Sequence, residues 1–359
     1  MASEEVLNIV KQINHYVATR GLDENIIEGT VEACKMAFFK DKDIKYGLAL
    51  TDVTKKFIDQ HILKETQGAG FGPLEEWAQG NKEQLKIINL YYDTLLLEAH
   101  YLVDSFKLYI ERDRPRRERF YEPRRKTLKR ISDAVQRLED DDLDILFLHQ
   151  PPRTGKSGES TMDVAWHCAR NTEAANLYVT YKEGLGGAFL DGVMEIYRDP
   201  TYRFHDVFPD VQIVYTDAKN NKLDLNRKKK YRSLSGKGLE SGLNGEYDAT
   251  GWLIIDDPLE GVQDVMSPEV LKRKQTIFDN NVLSRKKENC KLFMIGTLWS
   301  TNDIFSNYLD YLETTATKYR YDIIKVPALD PDTDESNFEY DYGVGFSQII
   351  TVSNVQSTK

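Results

Sequence analysis

Seven residues, Leu143 to His149 (LDILFLH), form a short apolar run that passes through Gln150-Pro151-Pro152-Arg153-Thr154-Gly155-Lys156-Ser157 straight into a helical stretch ending near Arg170. A run of this length suits a strand buried on both faces, and two prolines and a glycine turn the chain before the helix starts. A strand that feeds directly into a helix must cross over to a parallel neighbour, with helices covering the sheet it joins. The chain supplies the neighbours: Asn176–Tyr181, Val211–Tyr215, Gly251–Asp257, Lys291–Gly296 and Tyr321–Val326 are further short apolar runs, with a second helical stretch at Pro268–Ser284. The expected fold is an α/β domain on a mostly parallel sheet flanked by helices.

The first ~110 residues read differently. In EEVLNIVKQINHYV and QLKIINLYYDTLLLEAHYLVDSFKLYI the apolar positions recur at three- and four-residue steps, the signature of helices with one buried face. A Gly-rich break from Gln67 to Asn81 reads as a loop or hinge, and His15, His61 and His100 read as packing or surface residues. The expected division is an all-helical region over 1–115, a sheet domain over 116–329, and an acidic, Gly- and Pro-punctuated linker over 330–359. A chain of 359 residues with a net charge of −10, no long apolar run and no basic or apolar leader is expected to be soluble and cytoplasmic. Cys34, Cys168 and Cys290 lie far apart and the six histidines are scattered, which argues against a disulfide framework and a zinc site.

The loop Gln150–Ser157 has the chemistry of a phosphate cradle. Backbone amides at a helix N-terminus and the positive end of its dipole face an anion. Lys156 is placed to neutralise β- and γ-phosphates, and Ser157 to ligate magnesium. Its first residue is Gln150, where such loops usually begin with glycine. A second strand, GWLIIDD, delivers Asp256 and Asp257 to its C-terminal end, where ligands bind in open α/β sheets. Asp256 is the candidate to hold magnesium through its water shell and Asp257 the candidate to polarise an attacking water, with Glu260 in reserve. Thr297 leaves the strand KLFMIG as a candidate γ-phosphate sensor, and Arg153 is the candidate for stabilising transition-state charge in cis. Residues 111–130 carry ten basic side chains against four acidic ones, suiting either a solvated linker or contact with phosphate.

PPRTGKS, LIIDDP and GTLW, in this order and spacing, resemble the ATPase part of the large terminase subunit of tailed bacteriophages over roughly Tyr121–Leu329. The resemblance implies a P-loop NTPase of the ASCE, RecA-like type that uses ATP and Mg2+ to pump double-stranded DNA into a procapsid. It further implies the portal protein, the small terminase subunit and further copies of the chain as partners. Such a motor is monomeric in solution, ring-forming on the portal, located in the host cytoplasm and transiently at the portal vertex, and absent from the mature virion. Matched residue by residue, Gln150, Pro151, Pro152, Arg153, Thr154, Gly155, Lys156 and Ser157 would bind ATP. Asp256 and Asp257 would be the Walker B pair, Thr297 the coupling threonine, and Tyr121, Pro123 and Arg124 would fall in the adenine-contacting segment.

Three departures stand out. Leu298 replaces the arginine of the usual Thr-Arg-Trp, and Glu246 and Tyr247 stand near where the Gly-rich stretch before the acidic strand often carries an arginine. That stretch offers only Lys237, with Arg232 upstream, as a trans-acting base. The chain stops at Lys359, where the family's nuclease begins, so no nuclease activity is expected of it. A DNA surface would draw on the clusters Arg227–Lys230, Lys272–Lys274 and Arg285–Lys287. A helicase-like DNA-dependent ATPase and a non-catalytic nucleotide-binding assembly module are the competing readings.

Overall fold

The computed structural model describes residues 4–65, 81–243, 247–315, 317–341 and 347–349. The break at 67–80, Glu246 and most of the tail after 341 therefore lie outside the described residues. The chain divides into two compact units, parting between Arg112 and Asp113.

The first unit is helical: α1 (Glu4–Arg20), α2 (Glu24–Lys35), α3 (Ile44–Glu65), α4 (Lys82–Ala99) and α5 (Val103–Ile110). Asp23 and Asn81 start α2 and α4 by accepting hydrogen bonds from the amides of Ile26 and Glu83, each at 2.9 Å. Ile27, Val31, Val53, Phe57, Ile58, Ile62 and Ile87 are buried where α2, α3 and α4 meet. No described helix is long and apolar enough to cross a membrane.

The second unit is an α/β sheet domain. Its helices are α6 (Arg125–Glu139), α7 (Lys156–Arg170), α8 (Glu183–Arg198), α9 (Phe204–Val207), α10 (Val262–Met266), α11 (Pro268–Ile277) and α12 (Ile304–Thr314). The strands are β1 (Ile145–His149), β2 (Leu177–Thr180), β3 (Ile213–Asp217), β4 (Lys222–Leu225), β5 (Leu234–Gly238), β6 (Trp252–Asp256), β7 (Lys291–Gly296) and β8 (Tyr321–Lys325). They lie in the order β3-β4-β5-β2-β6-β7-β1-β8; β5 through β8 run parallel, and β3 and β4 extend the β5 edge antiparallel. Ile145, Phe147, Leu253, Ile255, Leu292 and Met294 pack from the sheet with Phe278, Ile304, Phe305 and Leu312 from the helices. Each such side chain contributes about 1.5–3 kcal/mol by leaving water.

Four strands differ from the expectation, among them β4, which no expected run covers, and β8, which is a half-buried edge and not a buried strand. The run at 211–215 is an antiparallel edge strand, β3, with Val214 exposed, not a strand buried on both faces. β5 has no apolar signature because glycine is required there. A Cβ on Gly236 would sit 2.7 Å from the Gly186 carbonyl oxygen, so α8 reaches the sheet only over a bare backbone. Residues 336–341, part of the expected linker, pack into this unit, with Phe338 and Tyr340 fully buried and β9 (Glu339–Asp341) paired with β10 (Ser347–Ile349).

Because the central strands are parallel, their C-terminal ends share one edge. His149 is in register with Gly296, Asp256 with Ile295, and Thr180 with Asp256. The next residues, Gln150, Thr297, Asp257 and Tyr181, therefore stand side by side.

Candidate functional site

The loop after β1 is a tight structure closed by its own atoms. Thr154 is buried and its hydroxyl donates to the Pro151 carbonyl at 2.8 Å. Arg153 (φ 64°) and Gly155 (φ 104°) both adopt left-handed backbone, and Gly155 caps α7 so that Lys156 is its first residue. Arg153 and Ser157 are exposed at the mouth of the loop, while Lys156 points inward and is only 6% exposed.

Lys156 meets the two other strand ends. Its ammonium donates to Thr297 Oγ1 at 2.8 Å and to the Gln150 carbonyl at 3.4 Å, and lies 3.4 Å from Asp257 Oδ2. Thr297 Oγ1 in turn donates to the Gln150 carbonyl at 3.2 Å, and the Thr297 amide donates to Asp257 Oδ1 at 2.9 Å. Asp257 is bent out of the strand line by a φ of 41°, a strained value for a non-glycine residue, while its amide stays bonded to Ile295. Lys156, Asp257 and Thr297 thus form one charged cluster over the ends of β1, β6 and β7. Beside it is a cavity of about 10 Å3, room for a single water, walled by Asp257, Thr297, Pro258, Leu259, Trp299 and Phe305 among others.

Asp256 occupies a different environment. It is buried, Tyr178 of β2 donates its hydroxyl to Oδ2 at 2.5 Å, and Oδ1 has no partner among the described residues. Burial, then the neighbouring Asp257 charge, push its carboxyl up to about 7, against the pull of Tyr178 and Lys156. Two adjacent carboxylates therefore have separate states, one dry and one half-exposed beside a lysine. Gln150 is also buried, and neither oxygen nor nitrogen of its side-chain amide has a partner among the described residues. Both orphaned sites fit a polar guest: Asp256 and Ser157 are the residues that would hold a magnesium ion, and Gly155, Lys156 and Arg153 would meet a phosphate.

The other candidates stand outside this charged cluster, although Arg124 Cδ would lie 3.9 Å from a Cβ on Gly155. Tyr121 is fully buried with its hydroxyl 2.9 Å from Ser132 Oγ, and the Arg124 guanidinium is stacked between the Phe120 and Tyr340 rings. Glu260 is exposed outside the cluster, its amide donating to Asp264 at 2.7 Å. Lys237 is buried against Glu183 and Arg232 is paired with Asp224.

Much of the basic surface is also engaged within the chain. Arg114 binds Asp199 and Thr201 and stacks on Tyr202, and Arg119 is buried against Glu122. In the later clusters Arg227 pairs with Glu173, Lys229 donates to the carbonyls of Thr172 and Ala174, and Lys274 is buried on Asp264. Arg285 and Lys287 pair with Asp248, whereas Lys228, Lys230 and Lys286 lie over tyrosine rings.

Sequence reading missed Tyr178, Phe120 and Tyr340. Tyr178 stands two residues before the end of its strand, and only the β2–β6 pairing brings it to Asp256. Neither the models of known protein families nor the curated proteins give a match to this chain.

Proposed function

We propose that the chain is an ATP-hydrolysing motor module of the large-terminase type, a P-loop NTPase of the ASCE class that drives double-stranded DNA through a portal. The observation that carries the reading is the convergence of Lys156, Thr297 and Asp257 at the opening of α7. Strand order supports it. With β7 between β1 and β6, the loop strand and the acid strand are two spacings, about 10 Å, apart, leaving room for a water between a bound phosphate and a carboxylate.

The resting contacts suggest how the residues work. Lys156 and Asp257 are paired at 3.4 Å. A γ-phosphate arriving over the loop takes Lys156, which releases Asp257 Oδ2 as a proton acceptor. A water beside Asp257 then attacks the γ-phosphorus, the bond to the β-phosphate oxygen breaks, and the water proton passes to Asp257. Thr297, bonded to both Lys156 and Asp257, senses whether that exchange has occurred. Arg153, exposed at the loop mouth, meets the charge that spreads over the phosphoryl oxygens. Magnesium, held by Ser157 and through Asp256, would neutralise phosphate charge.

DNA, the portal protein, the small terminase subunit and neighbouring copies in a ring are the partners this reading names, with the host cytoplasm and the portal vertex as its locations. The test is magnesium-dependent ATP hydrolysis at high protein concentration, wild type beside Lys156→Ala, with and without linear double-stranded DNA. Turnover lost in the variant and stimulated by DNA is expected. Absence of both turnover and nucleotide binding in the wild type would overturn the reading.

A further inference from the structure

Phe120, Arg124 and Tyr340 form a three-layer stack whose two outer rings both meet the phosphate loop. The Arg124 guanidinium carbon lies 4.6 Å from the centre of the Phe120 ring and 4.7 Å from that of Tyr340. Phe120 covers the loop's glycine side: a Cβ on Gly155 would come within 3.1 Å of the ring, and one on Gly158 within 2.6 Å. Tyr340 holds the other side, its hydroxyl donating to the Thr154 carbonyl at 3.2 Å. The segment that carries Tyr340 is fastened beside the loop. Thr127 Oγ1 donates to the Asn337 carbonyl at 2.7 Å, the Asn337 side-chain Nδ2 donates to the Pro327 carbonyl at 3.0 Å, and Phe338 is fully buried.

The loop needs such support. Arg153 at a φ of 64° is in a region that side chains disfavour, and two residues on Gly155 is left-handed again at 104°. A loop held only by its own bonds would populate other shapes, and a ligand's apparent affinity falls with the fraction of molecules in the competent one. We infer that Tyr340 is a positioning residue for the phosphate loop, and that residues 337–341 act as a strap whose docking is coupled to nucleotide occupancy. This rests on reading the loop as a nucleotide site. Coupling between two events is reciprocal, so occupancy of the loop must also tighten the strap.

Tyr340→Phe keeps the ring on Arg124 and removes only the bond to Thr154; Tyr340→Ala removes both. Loss of one such bond should raise the KM for ATP, and the Kd for a non-hydrolysable ATP analogue with magnesium, by about three- to tenfold while kcat stays within about twofold. Tyr340→Ala should raise both constants further. In nucleotide-free protein the amides of residues 154–156 should exchange faster in Tyr340→Phe than in wild type, and the analogue should slow exchange at 337–341 in wild type. A fall in kcat with KM unchanged would indicate only a smaller folded fraction and would overturn the positioning role. Wild type that binds the analogue, with variants equal to it in KM and exchange, would remove the strap and leave the nucleotide site standing. Failure of wild type to bind the analogue would remove both.

Discussion

Asp257→Asn should separate binding from turnover in opposite directions. In the resting site Asp257 Oδ2 is 3.4 Å from the Lys156 ammonium, which is 6% exposed, while the carboxylate side chain is 34% exposed. At that distance the Coulomb attraction is about 1 kcal/mol if screened as in water and about 5 kcal/mol at an effective dielectric constant near 20. The half-open carboxylate puts the pair toward the lower figure, about 1–2 kcal/mol. A γ-phosphate must displace that contact before it can use Lys156, so removing the negative charge should tighten ATP binding by roughly 5- to 30-fold. Asparagine keeps an oxygen for the Thr297 amide, so the loop geometry stays in place. The same change removes the proton acceptor and should suppress turnover by about 10²-fold or more. Calorimetric titration with magnesium and an ATP analogue, beside steady-state phosphate release, reads both. Weaker binding in the variant would refute the idea that Lys156 rests on Asp257. Normal turnover would refute the base assignment and move it to Glu260.

Three further changes test the supporting structure. His149 is buried beside Phe305, and burial holds its pKa down at about 4 from an ordinary 6.5. Its neutral form belongs to the folded state, so its contribution is complete above pH 6.5 and is lost as pH falls toward 4, about 3 kcal/mol in all. Urea unfolding followed by the fluorescence of buried Trp166 and Trp252 should show wild type losing that much relative to His149→Phe over this range; a difference independent of pH would contradict it. Tyr178→Phe keeps the 3.8 Å stack on Phe189 but strips Asp256 of its donor. Because the raised Asp256 carboxyl costs stability as pH rises through about 7, the variant should be weaker than wild type by about 1.5–3 kcal/mol at pH 8.5 and by clearly less at pH 5.5. Gly236→Ala presses a methyl against the Gly186 backbone and should destabilise by about 2–3 kcal/mol in thermal unfolding, whereas Gly184→Ala, with open space around it, should not.

How far the sequence could be read depended on where its signals are local. The runs at β1, β2, β6 and β7 are visible because strands buried on both faces must be apolar at nearly every position, whereas β8 shows through its own short apolar stretch although it is a half-buried edge. β5 is invisible for the opposite reason: Gly236 makes room for the Gly186 backbone and Gly238 for that of Glu183, and no hydropathy pattern records a close approach. The edge strand β3 alternates between half-buried and exposed residues, a pattern short enough to be mistaken for a buried run. Phe338 and Tyr340 sit in an acidic stretch whose average composition says solvent, while two aromatic side chains settle its position.

The site divides in the same way. Lys156, Asp257 and Thr297 are legible because each stands at or just past the end of a strand or the start of a helix, and parallel strands bring such residues to one edge. What they do to one another is not legible. Asp256 and Asp257 are neighbours in the chain and would be equivalent on paper. Successive strand residues face opposite sides, and the left-handed bend at Asp257 carries its carboxylate over to Lys156 and the Thr297 amide. Asp256 is left in the dry interior with one tyrosine hydroxyl. The difference in surroundings between the two acids therefore comes from the backbone angle at Asp257 and from which strand lies beside them. Moving Tyr178 or straightening Asp257 would leave the motif intact in sequence and undo it in chemistry.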